Sequence, residues 1–171
     1  LRAVASSIAP WAALVRQRLR HYRPRTARRL DHSSPEVLSE IFDRYKRQDI
    51  TTTYRDAVYF HWRFFAAPYR DELVFYLAGP PSSPTHYLVM RHVNFKGVRA
   101  SRILDLYGNF DDLQGLRDIL SLAIWDAVRQ GSSQVTAMLT LPGMRSIYRS
   151  LGFLIPAASR FCWYTPSGPV M

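Results

Sequence analysis

Residues Glu72–Val93 read ELVFYLAGPPSSPTHYLVMRHV, and the fold is decided there. Upstream of Pro68 the apolar residues recur at helical spacing; beyond it the period becomes strand-like. ELVFYLAG and THYLVMRHV predict two strands, and the intervening GPPSSP is turn-forming. NFKG then turns the chain into a third strand, Arg99–Tyr107. Turns this short make the three strands an antiparallel meander.

Downstream, Leu113, Leu116, Ile119, Leu120, Ala123, Ala127 and Val128 keep one face of a long helix apolar, and Gly131 ends it. QVTAMLT (residues 134–140) follows as a strand, Pro142–Ser150 as a short helix, and last strands near Phe153 and RFCWYT (residues 160–165). A strand, a long helix and another strand favour a parallel crossover. Upstream, Ser34 before Pro35 starts a helix that turns Val37, Leu38, Ile41, Phe42 and Tyr45 inward. A second helix covers Tyr54–Phe65, with Ala57, Phe60, His61 and Phe64 recurring. The order predicts an α+β sandwich with a mixed, mostly antiparallel sheet.

With 171 residues the chain fits one domain. It carries 23 Lys+Arg against 13 Asp+Glu, a net charge of +10. That excess suits an anionic partner: a nucleotide, an RNA, an acidic polymer or a membrane face. Arg16, Arg18, Arg20, Arg23, Arg25, Arg28 and Arg29 concentrate it in one segment. Residues Pro10–Leu30 read as a basic amphipathic helix with Trp11, Leu14, Val15 and Leu19 on one side. An interdomain connector, a membrane-surface helix and an RNA-contacting arm all suit it. Residues 1–34 are therefore divided off as a basic linker, and residues 35–171 as the folded domain.

The single cysteine, Cys162, fits a reducing compartment. Ala3–Val15 is too short an apolar stretch for a bilayer, and its charges follow it, the reverse of a signal peptide. A cytoplasmic protein is expected, and the first residue, Leu1, suggests a segment of a longer one. The five histidines lack metal-ligand spacing, so no metal site is expected. No serine sits in a nucleophile elbow.

MRSIYRSLGF (residues 144–153) resembles the late helix of the GNAT superfamily of acyl-CoA-dependent acyltransferases, with Ile147, Tyr148, Leu151, Gly152 and Phe153 in place. The resemblance runs from about Val37 to Thr165 and implies a GNAT-like sheet with helices on both faces. YRDAVYFHWRF (residues 54–64), with Arg55, Asp56, Tyr59, Trp62 and Arg63, looks like a bacterial subgroup in which such a segment opens the second of two tandem GNAT-like halves.

That resemblance implies a slot between the parallel strands for the pantetheine arm of acetyl-CoA or another acyl-CoA, with the diphosphate at the N-terminus of the long helix. The donor would then touch Leu106, Gly108, Asn109, Gln114, Gly115 and Arg117. Tyr148 becomes the candidate general acid for the leaving thiolate, since a phenol with an ordinary pKa near 10 is protonated at neutral pH. On the helix, Met144, Ile147, Tyr148 and Leu151 also form a face that simple packing would explain. Asp105, read on a face with Ile103 and Tyr107, is the candidate base, or a buried carboxylate satisfied by an arginine. Arg55, Trp62 and Arg63 are candidate substrate residues; the arginines, eight apart on one helix, share an edge, or pair with Asp56 or Asp71.

At the diphosphate position the family carries a glycine-rich loop, whereas GNFDDLQGLRD (residues 108–118) has glycine only at Gly108 and Gly115. Asp111 and Gln114 have capping-box spacing, so an aspartate competes for the amides a diphosphate needs. Three functions stay open. One is an N-acyltransferase acting on an amine-bearing small molecule or cell-surface precursor, with a tRNA-dependent aminoacyl transferase as a variant. Another is a degenerate half that serves a missing N-terminal half as scaffold or ligand-binding partner. The third is a nucleic-acid-binding module.

Overall fold

Leu73–Ala78 (β2), His86–Phe95 (β3) and Val98–Gly108 (β4) form the expected meander, with antiparallel pairs such as Phe75↔Val89 and Tyr87↔Tyr107. The computed structural model describes residues 24–30, 33–47, 53–95, 97–138 and 144–153. Helix α3 (Leu113–Arg129) crosses over to β5 (Gln134–Ala137), which pairs parallel with β4 from Ala100↔Gln134 to Ile103↔Ala137. With Arg28–Leu30 as β1, the mixed sheet has the order β1-β2-β3-β4-β5, antiparallel except at its last pair.

Each face buries one apolar cluster. Leu116, Ile119, Leu120, Ala123 and Ile124 of α3, with Met144, Ile147 and Tyr148 of α4 (Met144–Ser150), pack on Tyr76, Leu88, Met90 and Ile103. On the other face, Leu38, Ile41 and Phe42 of α1 (Pro35–Tyr45) join Phe60, Phe64, Phe75, Tyr87 and Tyr107. Alternation along each strand sends successive residues to opposite clusters.

Three expectations are corrected. Arg28–Leu30, read as the end of a basic helix, are strand β1, paired antiparallel with Phe75–Leu77. The outer edge of β2 would otherwise leave backbone groups unpaired, and pairing them outweighs the weak periodicity of a charge-rich segment. Buried Asp118 of α3 anchors the approach, accepting from the Arg25 amide and the Thr26 hydroxyl, each at 3.3 Å. Residues 1–23, with the rest of that helix, and the strand expected at residues 160–165 lie outside the described residues.

The helix expected over Tyr54–Phe65 begins only at Ala57. Asp56 caps it by accepting the Tyr59 amide at 2.7 Å; Ala57–Phe60 (α2) is α-helical, and His61–Phe65 widens into a π turn. Arg55 thus stands before the helix, so Arg55 and Arg63 do not share a helical edge.

The third correction is a β-bulge. Met90 pairs with Ile103 and Val89 with Asp105, leaving Leu104 without an opposite residue. Leu104 and Asp105 then both turn to the α1 and α2 side, while Ile103 stays with α3. Asp105 shares its face with Tyr107 but not with Ile103, because an inserted residue breaks the period of two.

Candidate active site

The bulge lies one residue beyond Ile103↔Ala137, the last β4–β5 pair among the described residues. From Leu104 to Gly108, β4 continues beside β3, and no β5 residue among the described residues pairs with it there. Ile103, Leu106, Ala137 and Tyr148 all belong to the apolar cluster on the α3 face.

Tyr148 is held there by the end of its helix. The Phe153 amide donates to the Tyr148 carbonyl at 3.0 Å and the Gly152 amide to the Arg149 carbonyl at 3.0 Å, while Gly152 takes the left-handed φ of 90°. This is a Schellman cap, whose customary apolar contact is the edge-on packing of Phe153 against Tyr148, centroids 4.9 Å apart. The glycine and phenylalanine of YRSLGF thus cap the helix and grip the tyrosine ring. Burial leaves Tyr148 4% exposed and pushes its pKa well above the usual phenol value. Its hydroxyl makes no hydrogen bond to the described residues, and because burial disfavours the phenolate it stays protonated at neutral pH.

Asp105 has the opposite surroundings. Arg55 Nη1 lies 3.0 Å from Asp105 Oδ1 and 3.2 Å from the Tyr87 hydroxyl, which donates to Asp105 Oδ2 at 3.1 Å. The guanidinium is flanked by the rings of Tyr107 at 5.1 Å and Phe42 at 5.6 Å. Burial raises the Asp105 pKa, opposed chiefly by Arg55, then by the Tyr87 hydrogen bond, with Arg63 adding a weaker pull. Arg55 Nε is buried without a partner among the described residues. Two predicted site residues, Asp105 and Arg55, therefore meet, on the other side of the sheet from Tyr148. Arg63 lies over the Phe64 ring, 5.9 Å from its centroid, and Trp62 is 67% exposed. Neither Asp56, which caps α2, nor Asp71 supplies the partner of Arg55.

The residues expected to hold the donor's diphosphate are occupied with one another. Asp112, rather than Asp111, caps α3: its Oδ1 accepts the Gly115 amide at 2.9 Å. Gln114 does not reach back to the cap but donates to Asp118 at 2.8 Å, one turn on. Asn109 accepts the Asp111 amide on its side chain at 3.1 Å and donates its own amide to the Thr85 carbonyl at 3.0 Å.

His86, fully buried, fills the space between the two glycines. A Cβ on Gly115 would stand 2.7 Å from His86 Cε1, and one on Gly108 2.8 Å from its Cδ2. Nε2 lies 2.7 Å from the Asn109 carbonyl, which can only accept, so Nε2 carries the proton. Nδ1 lies 2.9 Å from the Thr85 hydroxyl, and burial lowers the ring's pKa. Leu106 packs at the edge of the α3 cluster, and Arg117 is exposed on the first turn but one. The turn before α3 is already filled by Asp112 and His86, so the residues present there do not fit a diphosphate.

Sequence reasoning passed over His86, Tyr87 and Asp112. THYLVM reads as an ordinary strand start, and nothing local shows that its histidine faces two distant glycines. No group of three or more His, Cys, Asp or Glu among the described residues could hold a metal ion, and none of their helices is long and apolar enough to cross a membrane.

No family model and no curated protein matches this sequence. Solved structures do. Glucosamine-6-phosphate N-acetyltransferase from Arabidopsis thaliana superposes with a TM-score of 0.58 over 81% of this chain and 97% of its own, at 14% identity. An aminoglycoside acetyltransferase from an uncultured soil metagenomic sample gives 0.56 over 81% and 94%, at 12% identity. Ribosomal-protein-alanine N-acetyltransferase from Brucella melitensis biovar Abortus 2308 gives 0.56 over 78% and 95%, at 11% identity. The fold is GNAT-like. A likeness at these identities establishes the architecture, and the GNAT-like sheet of this chain carries the β4 bulge and the α4 tyrosine described above.

Proposed function

We propose that this chain is a GNAT-type N-acyltransferase domain, moving an acyl group from a thioester to an amine on a small molecule or a cell-surface precursor. The observation that carries the reading is that, among the described residues, β4–β5 pairing ends at the Leu104 bulge, while the same apolar cluster buries Tyr148, whose hydroxyl has no hydrogen-bond partner among the described residues. Three acetyltransferases of different acceptors share the architecture, which supports the reaction class and leaves the acceptor open.

In the proposed reaction the amine nitrogen attacks the thioester carbonyl. A C–N bond forms as the C–S bond breaks, and the ammonium proton passes to solvent or to a base. The Tyr148 hydroxyl protonates the departing thiolate and is itself reprotonated from solvent. Asp105 is tied to Arg55 and Tyr87, so service as the base requires that ion pair to open. Trp62 and Arg63 are assigned to the acceptor side.

The test is thiol release by the full-length protein supplied with acetyl-CoA or S-acetylpantetheine and a panel of amines. Amine-dependent release that falls about 100-fold in Tyr148→Phe supports the assignment. A second reading, a degenerate GNAT-like half that binds or scaffolds, is favoured by the filled turn at Asp112 and His86. Absence of amine-dependent thiol release from both donors would support it.

A further inference from the structure

We infer that the first turn of α3 is not a diphosphate site, and that any acyl donor accepted by this domain is recognised through its acyl and pantetheine parts alone. The inference rests on the thioester-transfer reading for the donor, but not for the closure of the turn, which stands on contacts within the chain.

A helix N-terminus attracts an anion because its first amides lack partners. Here the chain supplies the anion itself. The Gly115 amide, which has no partner within the helix, goes to the Asp112 carboxylate at 2.9 Å, and the Leu116 amide makes the ordinary first helical bond to the Asp112 carbonyl at 3.1 Å. Asp112 also sets a fixed negative charge where a diphosphate would add more, and Asp111 stands next to it in the chain.

The glycines do not reopen the turn. Both lack a side chain where His86 needs the room: its ring stands 2.7 and 2.8 Å from where their Cβ atoms would be. That ring is pinned at 2.7 Å to the Asn109 carbonyl and at 2.9 Å to Thr85. For the ring to swing aside, both contacts must break and a buried space must open. Being buried and neutral, it brings no positive charge in exchange. Arg117 is the cation of this stretch, but it is exposed and further along the helix, away from the capped amides.

The β5-facing side of Leu104–Gly108 is separate from this closure. Among the described residues no β5 residue takes the outward amides and carbonyls of Leu104–Gly108, and such a line of donors and acceptors suits the amide-bearing pantetheine arm. Recognition then depends on the part of the donor nearest the thioester.

The experiment compares acetyl-CoA, S-acetylpantetheine and ADP by calorimetry on the full-length protein. Acetyl-CoA and S-acetylpantetheine binding within about threefold of each other, with no heat from ADP, is the expected result. Acetyl-CoA binding tenfold or more tighter than S-acetylpantetheine, with ADP competing for the site, overturns the inference. If no probe binds, the thioester-transfer reading fails while the closed turn stands. Asp112→Gly, which frees the Gly115 amide and removes the charge, is expected to shift the preference at least threefold towards acetyl-CoA; an unchanged ratio in the folded variant overturns the role given to Asp112.

Discussion

Tyr148 and Asp105 sit on opposite sides of one sheet, and the two neighbourhoods treat a polar group in opposite ways. On the α3 and α4 side a phenol is gripped by Phe153 and its own helix cap, and its hydroxyl is left without a partner among the described residues. On the α1 and α2 side a carboxylate is consumed by Arg55 and Tyr87 and enclosed by aromatic rings. Burial alone does not mark a catalytic group, since both are buried. What differs is whether the polar atom is already engaged. An engaged group stabilises the fold; the proposed reaction needs the other kind, a group with its ring fixed and its polar atom unengaged.

The contrast is broken most forcefully at Arg55. Arg55→Met leaves Asp105 buried with Tyr87 alone, and the loss in denaturant unfolding is expected to be about 3–5 kcal/mol. The double variant Arg55→Met, Asp105→Leu should recover much of it, because an apolar pair leaves no charge unpaired. A single-variant loss under about 1 kcal/mol would remove the structural role assigned to the pair.

Tyr148→Phe is the converse. Thiol release is expected to fall about 100-fold, equivalent to about 2.7 kcal/mol in the barrier, with the unfolding midpoint little changed. Full activity in this variant would reduce Tyr148 to packing.

Gly152→Ala probes how the ring is held. Forcing a side chain into the left-handed region costs roughly 1–2 kcal/mol, and a frayed cap should loosen Phe153 from Tyr148. Thermal unfolding measures the first effect, and a fall in activity larger than the stability change reveals the second.

The smallest effect is a pH dependence. Burial lowers the His86 pKa, so the unfolded chain binds a proton more readily than the folded one. Stability from this group is therefore present above about pH 6.5 and is lost as pH falls through the lowered folded value. His86→Gln should flatten the slope of unfolding free energy below about pH 6.5, and His92, shifted in the same direction by burial, should leave a residual slope. An equal slope in wild type and variant would mean that the ring takes up its proton without leaving its place between the glycines.

The meander, the parallel crossover and the inward face of α4 were legible because local periodicity and turn chemistry produce them. The terminal LGF was legible for the same reason: a helix cap is a contact between residues a few positions apart. Strand β1 was not, because three residues of ARRLD become a strand only where the edge of β2 lacks a partner. Nor was the bulge, since RILDLYG alternates without a visible break and the extra residue is defined by its pairing with Val89 and Met90.

What the chain order determined by itself was the set of elements and the identity of the tyrosine on α4, because helix and strand periods act within a dozen residues. What only tertiary structure decided was availability: Asp105 met Arg55 from a segment 50 residues away in sequence, and His86 closed over Gly108 and Gly115. A side chain's chemistry depends on which partners reach it, and those partners are brought by the packing of distant segments rather than by sequence neighbours.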